Sequence, residues 1–462
     1  MAKVAPNLDE ILRLDRAHVI HPTTEFRKQE KQGSRIFVGG RGVEIELADG
    51  RTVIDGFSGL WNIIVGHGRT EIADAVAAQM RKLAYYPSFY DVGNEPAARL
   101  AAKIVSLLPA DRRLNHFLFS SGGSEANEAN FRFARQYHGV RGKESKAKII
   151  SRRWSYHGET RGAGAATGIT AYHLFVQQDP SHAYFAPPYC YRCEFGKTYP
   201  GCALECAQDL ETVIKQEGAD TVAAVVIEPV MGTGGIIPPP LEYFGLIQEI
   251  CKRHDVLLIL DEVITGFGRT GKWFAMEHWN IKPDLLTLAK GISSGYLPLS
   301  ASVISDHVYE TIRDQMPEGL PFMFGLTYNN HPTCCAAGLA NIAIIEREGL
   351  VENAREVGPY MLERLRDAFG KSPIVGEIRS GGMMAAIEIV RDRTTKEPFP
   401  NFEDPARISA AAFQRGLIAR GMFQCVALAP PLICTKADID RIVGILQEVW
   451  PAAEREILAA GK

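Results

Sequence analysis

Residues 256–271 read VLLILDEVITGFGRTG, and this stretch decides the fold. Five apolar residues, Val256–Leu260, run directly into two carboxylates, Asp261 and Glu262. The glycines of the turn that follows are Gly266, Gly268 and Gly271. A short apolar run that ends in such a turn is typical of a strand buried on both faces of a sheet. An acid at the end of that strand needs a positive partner to stay ionised; alternatively, Asp261 is a structural carboxylate that caps a neighbouring turn.

Apolar runs of the same kind recur along the chain after about residue 115. They are HFLF, KII, VAAVVIE, VLLILDE, DLLTLAK and SASVIS. Most are separated by helical stretches such as LEYFGLIQEICKRHD. Strands that alternate with helices indicate an α/β fold in which a mainly parallel sheet is flanked by helices. Right-handed crossovers then place the strand ends on one edge of the sheet, where such sheets bind ligands.

The two ends of the chain differ from this middle part. VEIEL and TVIDG flank Asp49-Gly50, which predicts a hairpin, and IVGEIRS, MMAAIEIV and ADIDRIVGILQEVW predict two strands and a helix near the C-terminus. We predict a large domain over residues 60–330. Residues 1–59 and 331–462 are predicted to form a smaller α/β domain together. Asn7 and Thr70 stand where the caps of two early helices are expected.

Composition excludes several classes of protein. The 462 residues carry 51 basic and 54 acidic side chains, a formal net charge of -3, which argues against a nucleic-acid binder. The N-terminus has no apolar h-region, and no stretch approaches the roughly 18 consecutive apolar residues of a membrane span. Nine cysteines in so long a chain do not suggest a disulfide framework. We therefore expect a cytoplasmic protein with neither nucleic-acid nor membrane partners.

The stretch LFSSGGSEANE follows a predicted strand and opens a predicted helix. Gly122 and Gly123 let the backbone approach a ligand, and the free N–H groups of a helix N-terminus bind anions, which favours a phosphate site. The alternative is that Ser124 only caps the helix. The stretch is neither a Walker loop nor the dinucleotide fingerprint, so a nucleotide-binding module is not favoured.

Two further residues lie at the same predicted edge. Tyr156, in the loop RRWSYHGET, can stack on a flat ring, although a loop tyrosine is more often a packing residue. Lys290, at the end of DLLTLAK, would be desolvated, which lowers its pKa and suits it to Schiff-base chemistry. The alternative for Lys290 is an amine that extends from the strand end to water.

These four features match one small molecule. An anion site, an aromatic residue, a strand-end acid and a strand-end lysine recur along one edge of one sheet. Pyridoxal phosphate carries a phosphate, a flat ring, an aldehyde that reacts with a lysine and a ring nitrogen that an acid keeps protonated. The residues therefore favour an enzyme that uses this cofactor.

The segment CYRCEFGKTYPGCALEC raises a separate possibility. Its cysteines are Cys190, Cys193, Cys202 and Cys206. Four thiolates can hold a tetrahedral zinc ion, but this spacing is shorter than that of common zinc ribbons. Reduced, partly buried thiols are the alternative, and the predicted chemistry requires no metal.

Over almost its whole length the sequence resembles the class III aminotransferases, the ω-aminotransferase group of fold-type-I pyridoxal-phosphate enzymes. The matching stretches are DGFSGLWNIIVGHG, SSGGSEANE, YHGET, VVIEPVMGTGG, LILDEVITGFGRTG, DLLTLAKGISSGYLPL and GLTYNNHP. The blocks DEV-x-TGFGRTG and P-D-x-x-x-x-AKG at this spacing are highly specific. The intact Lys290 and Asp261 argue against a homologue that has lost its chemistry.

The resemblance implies a role for each matching residue. Lys290 is the catalytic residue, which forms the Schiff base and shuttles a proton, and Asp261 pairs with the pyridinium nitrogen. The residues implied to contact the rest of the cofactor are Gly123 and Ser124 at the phosphate, Tyr156 and Val263 on the two ring faces, and Glu228 nearby. Thr327 is implied to reach the phosphate of a neighbouring subunit's cofactor, which requires a homodimer; tetramers are possible.

The same resemblance suggests the substrates, an amine donor and a 2-oxo acid acceptor that react by a ping-pong mechanism. Family members that pair amines with pyruvate have an aromatic pocket, matched here by Trp61, Phe89 and Tyr90, and a mobile arginine, matched by Arg420. The sequence after Arg420 lacks the Gly-Asp pair that accompanies this arginine in the family. The alternatives are transfer from 4-aminobutyrate or ornithine to 2-oxoglutarate, and a glutamate-semialdehyde aminomutase.

Overall fold

The computed structural model describes residues 7–175, 179–400 and 403–460. Within these ranges the helices are α1 (Leu8–His18), α2 (Phe26–Gln32), α3 (Ser58–Trp61), α4 (Thr70–Leu83), α5 (Glu95–Leu107), α6 (Gly123–Val140), α7 (Arg161–Ala166), α8 (Glu205–Glu217), α9 (Tyr243–Arg253), α10 (Asp306–Gln315), α11 (Pro332–Arg347), α12 (Leu350–Phe369), α13 (Asp404–Gln414) and α14 (Lys436–Ala460). None of them is both long and apolar enough to cross a membrane.

The strands of the described residues form three sheets. In chain order they are β1 (Phe37–Arg41), β2 (Glu44–Leu47), β3 (Thr52–Asp55), β4 (Leu114–Ser120), β5 (Lys148–Arg152), β6 (His182–Phe185), β7 (Val222–Ile227), β8 (Leu257–Asp261), β9 (Leu285–Leu288), β10 (Ser300–Ser305), β11 (Val375–Ser380), β12 (Ala385–Ile389), β13 (Leu417–Ile418), β14 (Arg420–Met422) and β15 (Cys425–Leu428). The sheet orders are β4-β10-β9-β8-β7-β5-β6, β1-β2-β3-β13 and β11-β12-β15-β14.

The seven-stranded sheet is the centre of the fold. Strands β9, β8, β7, β5 and β6 pair in parallel, and β10 runs antiparallel to both of its neighbours, β9 and β4. The predicted α/β architecture with a mainly parallel sheet is thus confirmed, and all six predicted apolar runs lie in its strands. Strand β6 was not predicted from the sequence.

Alternate residues of the central strands face opposite helical layers. Ile259 of β8 packs in a cluster with Phe131 of α6. The flanking Leu258 and Leu260 pack in a second cluster with Phe244 of α9. Every residue of β8 is therefore buried, which explains its continuous apolar sequence. Each large apolar side chain buried in this way contributes about 1.5–3 kcal/mol to folding.

The two ends of the chain meet in the smaller sheets. Strands β2 and β3 form the predicted hairpin around Asp49-Gly50, and β13 pairs in parallel with β3. This pairing supports the predicted smaller domain, although the boundaries 1–59, 60–330 and 331–462 stay a prediction. Asn7 caps α1 as expected, but the cap assigned to Thr70 was wrong. Thr70 is the first residue of α4, and Arg69 precedes it without a side-chain cap.

A buried ionic network joins the segment after β6 to the C-terminal sheet. Glu388 of β12 is fully buried and accepts hydrogen bonds from Tyr189, Arg192 and Arg379. Arg379, in β11, also donates to the carbonyl oxygen of Gly235 at 2.8 Å. The Glu388 carboxylate therefore pairs with two guanidinium groups from distant parts of the chain, and Glu377 supplies a second negative charge beside Arg379 at 2.7 Å.

We predict that Glu388→Ala destabilises the protein strongly. Removing one partner of a buried pair costs about 3–5 kcal/mol because the remaining charges stay buried. The thermal midpoint should fall by more than ~5 °C at a fixed scan rate. The control is Glu397→Ala, which breaks the exposed pair between Glu397 and Arg391 and should change the midpoint by less than ~2 °C. Equal shifts for the two variants would contradict the prediction.

Candidate active site

A cavity of about 400 Å³ opens at the carboxyl edge of the seven-stranded sheet. Asp261 ends β8, Glu228 follows β7 directly and Lys290 lies two residues beyond β9. Because these strands are parallel, their ends bring the three side chains into one wall. The predicted site residues that line the cavity are Gly123, Ser124, Tyr156, Glu228, Asp261, Val263 and Lys290.

Three donors from different segments hold the Asp261 carboxylate. Its Oδ2 accepts hydrogen bonds from His157 Nδ1 at 2.8 Å and from Asn127 Nδ2 at 2.9 Å. Its Oδ1 accepts from the Val263 N–H at 3.0 Å. The side chain is buried in the cavity wall, and the three donors fix its orientation.

The adjacent acid, Glu262, has the structural role that we considered for Asp261. Its oxygens accept from the Thr265 hydroxyl and from the N–H groups of Ala275 and Met276, each at 2.8 Å. Burial raises the pKa of Glu262 to about 7. Successive residues at a strand end point to opposite sides, so one acid fixes the turn while the other faces the cavity.

Lys290 places an amine in the cavity wall rather than at the outer surface. Desolvation lowers its pKa to about 8, although the charges of Asp261 and Glu228 act in the opposite direction. Among the described residues it has no ion-pair partner within 4.0 Å. Its backbone lies in the left-handed region, with φ of 44°, a strained conformation that is enriched at functional sites.

The N-terminus of α6 forms the anion end of the cavity. Helix α6 begins at Gly123, and Gly122 is its N-cap residue without a side-chain cap. The capping alternative for Ser124 was therefore wrong; its Oγ instead accepts from the Glu159 N–H at 3.3 Å. A Cβ on Gly158, which has φ of +130°, would lie 2.2 Å from this Oγ. Only glycine leaves the Ser124 hydroxyl room beside the helix end.

The cavity fits a flat, phosphorylated pyridine. A Cβ on Gly123 would lie 3.0 Å from Val263 Cγ2, so the missing side chain leaves the wall free for a ring. The cavity presents the amide groups of a helix N-terminus, a buried carboxylate and an unpaired amine, one for each polar group of such a molecule. We find no residue in the wall that conflicts with this fit.

Five predicted residues lie outside the cavity wall. Trp61 is buried against Phe57, with ring centroids 4.4 Å apart. Phe89 lies beside Gly325, and the Tyr85 hydroxyl donates to the Thr327 carbonyl at 2.6 Å, so these segments form one surface region. The remaining predicted residues are Tyr90, which is 95% exposed, and Arg420, which lies beside the wall.

Burial raises the pKa of Tyr156, and Arg420, the first residue of β14, is close enough to oppose this rise. Its guanidinium lies 5.5 Å from the centre of the Phe57 ring. Burial lowers the pKa of Arg420, and no carboxylate of the described residues pairs with it within 4.0 Å. An unpaired, partly buried cation of this kind is suited to bind an anionic ligand.

Sequence reasoning missed the roles of His157, Asn127 and Tyr172. His157 and Asn127 hold Asp261, and Tyr172 packs edge-on against Tyr156 with ring centroids 5.4 Å apart. His157 adjoins Tyr156, and Asn127 lies about one turn beyond Gly123, so their positions were a usable signal. Tyr172, in a short 3-10 helix over Thr170–His173, offered none.

The four cysteines of the CYRC segment surround a small cavity of about 20 Å³. Cys190 is exposed and the others are half-buried. Burial raises the pKa of Cys206 to about 12. Among the described residues, no group of three or more His, Cys, Asp or Glu side chains is arranged to hold a metal ion. The zinc hypothesis and its alternative of reduced, partly buried thiols both stay predictions.

Comparison with known proteins defines the class. The family model described as aminotransferase class-III matches residues 26–450. A diaminobutyrate–2-oxoglutarate transaminase of Halomonas elongata is 42% identical over 443 residues, 94% of each chain. A taurine–pyruvate aminotransferase of Bilophila wadsworthia is 38% identical over 461 residues, 97% of this chain and 98% of that one.

Solved structures agree with this assignment. A thermostable (S)-enantioselective ω-transaminase from Thermomicrobium roseum is 40% identical with a TM-score of 0.92, covering 98% of this chain and 99% of that chain. The ω-transaminase from Pseudomonas jessenii in complex with PMP is 33% identical with a TM-score of 0.93, covering 97% and 99%. Fold and cavity thus define a transaminase of fold type I. The chain belongs to the class III aminotransferases, and its cofactor is pyridoxal phosphate.

We predict that Lys290→Met stabilises the cofactor-free protein. The pKa of Lys290 is about 8 when folded and about 10.5 when unfolded, so below about pH 8 folding must bury an ammonium group. This cost, up to ~3 kcal/mol, decreases between pH 8 and 10.5 as the unfolded amine also loses its proton. Urea unfolding at about pH 7 and about pH 9.5 should show the variant to be more stable, by a smaller margin at the higher pH. If the difference in stability between the variant and the wild type did not change with pH, the lowered pKa assigned to Lys290 would be refuted.

Proposed function

We propose that this aminotransferase is an ω-transaminase that moves an amino group from an amine or ω-amino acid to a 2-oxo acid, with pyruvate as its acceptor. The observation that carries the proposal is the shared cavity of Lys290 and Asp261, which holds a desolvated amine and a buried carboxylate at neighbouring strand ends. Bound in this cavity, pyridoxal phosphate supplies a protonated ring that stabilises negative charge on the substrate carbon.

Lys290 is proposed as the catalytic residue. A pKa of about 8 leaves about a tenth of its amine neutral at about pH 7, far more than in an ordinary lysine, so Nζ can accept a proton from the substrate carbon and return it. Because the amine has no ion-pair partner among the described residues, no ion pair must break before it acts.

Asp261 is proposed to hold the proton on the ring nitrogen. Its three hydrogen-bond donors fix the direction of the carboxylate. Each unit by which it raises the pKa of the nitrogen corresponds to about 1.4 kcal/mol. Gly123 and Ser124 are proposed to bind the phosphate, and Tyr156 and Val263 to contact the ring faces. Their positions around the cavity support these roles.

Glu228 is proposed to support this site rather than to react. Its Oε2 accepts from the Gly232 N–H at 2.8 Å and its Oε1 from the Tyr156 N–H at 3.3 Å. Burial raises the pKa of Glu228. The carboxyl group thus fixes the backbone of the residue that is proposed to pack on the ring.

The charges near the cavity support a monocarboxylate acceptor such as pyruvate. Two guanidinium groups of the described residues act on Lys290, those of Arg420 and Arg269. Arg269 is fully buried and donates to the carbonyl oxygens of Met383 and Pro430, which leaves Arg420 for one substrate carboxylate. The second candidate acceptor is 2-oxoglutarate, which the relative at 42% identity uses by name. The second carboxylate of 2-oxoglutarate would require another cation in addition to Arg420.

We also propose a homodimer in which Thr327, Phe89 and Tyr90 serve the neighbouring subunit's site. They share one surface region outside their own cavity, and Tyr90 is 95% exposed. Other apolar side chains exposed there are Leu320, Met323 and Tyr328. Light scattering should give at least twice the mass of one chain. A stable monomer with full activity would refute this arrangement.

A panel of donors and acceptors tests the catalytic proposal. (S)-1-phenylethylamine, ω-amino acids and diamines are each paired with pyruvate or 2-oxoglutarate, and product formation is followed. We expect turnover with pyruvate at least ~10-fold faster than with 2-oxoglutarate, because Arg420 offers a single carboxylate site. Lys290→Ala, which keeps the fold, should abolish turnover with every pair. Robust use of 2-oxoglutarate without any aromatic amine activity would overturn the pyruvate assignment.

A further inference from the structure

An acidic side chain, Glu159, stands at the mouth of the cavity. The Tyr156 hydroxyl donates to Glu159 Oε1 at 3.2 Å, and the Glu159 N–H donates to Ser124 Oγ at 3.3 Å. The carboxylate is thus anchored to Tyr156 and the backbone of Glu159 to Ser124, two residues of the cavity wall. Glu159 follows Gly158, which also lines the cavity, and is exposed to solvent, so its carboxylate stands at the rim.

The carboxylate of Glu159 has no cationic partner. Among the described residues, none of the ion pairs within 4.0 Å includes it, and the nearby Arg161 contacts Asp179 at 3.5 Å. Its one side-chain partner is a neutral phenol. A carboxylate that is held in place by a neutral donor can still pair with an incoming cation.

The two tyrosines beside Glu159 can also attract a cation. The rings of Tyr156 and Tyr172 meet edge-on with centroids 5.4 Å apart. Ring faces attract ammonium groups, and the attraction adds to that of a nearby carboxylate. Burial raises the pKa of both phenols; the charge of Glu159 adds to this rise and that of Arg420 opposes it. An anion and a cation therefore flank the same aromatic pair.

We infer that Glu159 selects donors that carry a second ammonium group several carbons from the reacting amine, namely diamines and diamino acids. The inference rests on the proposed function, because it assumes that the reacting amine reaches Lys290. The second ammonium group then lies at the cavity mouth between the Glu159 carboxylate and the tyrosine rings. In a diamino acid, the carboxylate is positioned toward Arg420.

The test compares two donors of equal length and shape. 1,4-Diaminobutane and 1-aminopentane differ in one ammonium group that replaces a methyl group. The wild-type enzyme should prefer the diamine in kcat/KM. Glu159→Gln keeps the acceptor for the Tyr156 hydroxyl but removes the charge, and the ratio of the two kcat/KM values should fall about three- to tenfold, mainly through KM. Added salt should lower the wild-type ratio and leave that of the variant nearly constant.

Glu144→Gln is the matched control, since Glu144 is an exposed carboxylate in the loop after α6 and its loss changes the net charge equally. This variant should keep the wild-type ratio. An unchanged ratio in Glu159→Gln, or an equal fall in the control, would overturn the inference. If neither amine is turned over by the wild-type enzyme, the proposed function fails instead, and the two failures are thereby distinguished.

Discussion

The Asp261 carboxylate lies at the end of a strand buried on both faces, where three donors hold it. Burying an ionised carboxylate costs several kcal/mol unless hydrogen bonds and a counter-charge compensate for the lost water. Asn127, which donates to Asp261, also accepts a hydrogen bond from Thr287 of β9 at 2.7 Å. The acid therefore fixes the relative positions of α6, β8, β9 and the loop that carries His157.

The two neighbouring acids at the end of β8, Asp261 and Glu262, have different tasks. Glu262 satisfies the turn that follows, and its three donors leave it turned away from the cavity. Asp261 stays directed toward the cavity because its own donors, His157, Asn127 and the N–H of Val263, fix its carboxylate. Lys290 enters the wall from the neighbouring strand with its pKa lowered by desolvation. The cavity thus contains a carboxylate fixed by three donors beside an amine that loses its proton more readily than an ordinary lysine, an arrangement suited to acid–base chemistry.

The strands and their terminal residues were predictable because a continuous apolar run indicates burial, and parallel strands end on one edge. Asp261 and Lys290 follow from these two facts. The directions of side chains in irregular segments could not be predicted from the sequence. Trp61 ends a segment in which its own φ is 67°, and this backbone turns the ring into the core rather than the cavity. The cap at Ser124 failed because the N-cap residue of α6 is Gly122, two residues earlier. Strand β6 is short and only half-buried, so its pattern was too weak to recognise.

Arg420 stands on β14, and β14 pairs with β15 in the four-stranded C-terminal sheet. Lys290 and Asp261 belong to the seven-stranded sheet. The residues proposed for proton transfer and the residue proposed to bind the acceptor carboxylate thus stand on separate sheets that share no strand. Substitutions in β14 and β15 can therefore alter the proposed carboxylate site and leave the seven-stranded sheet in place.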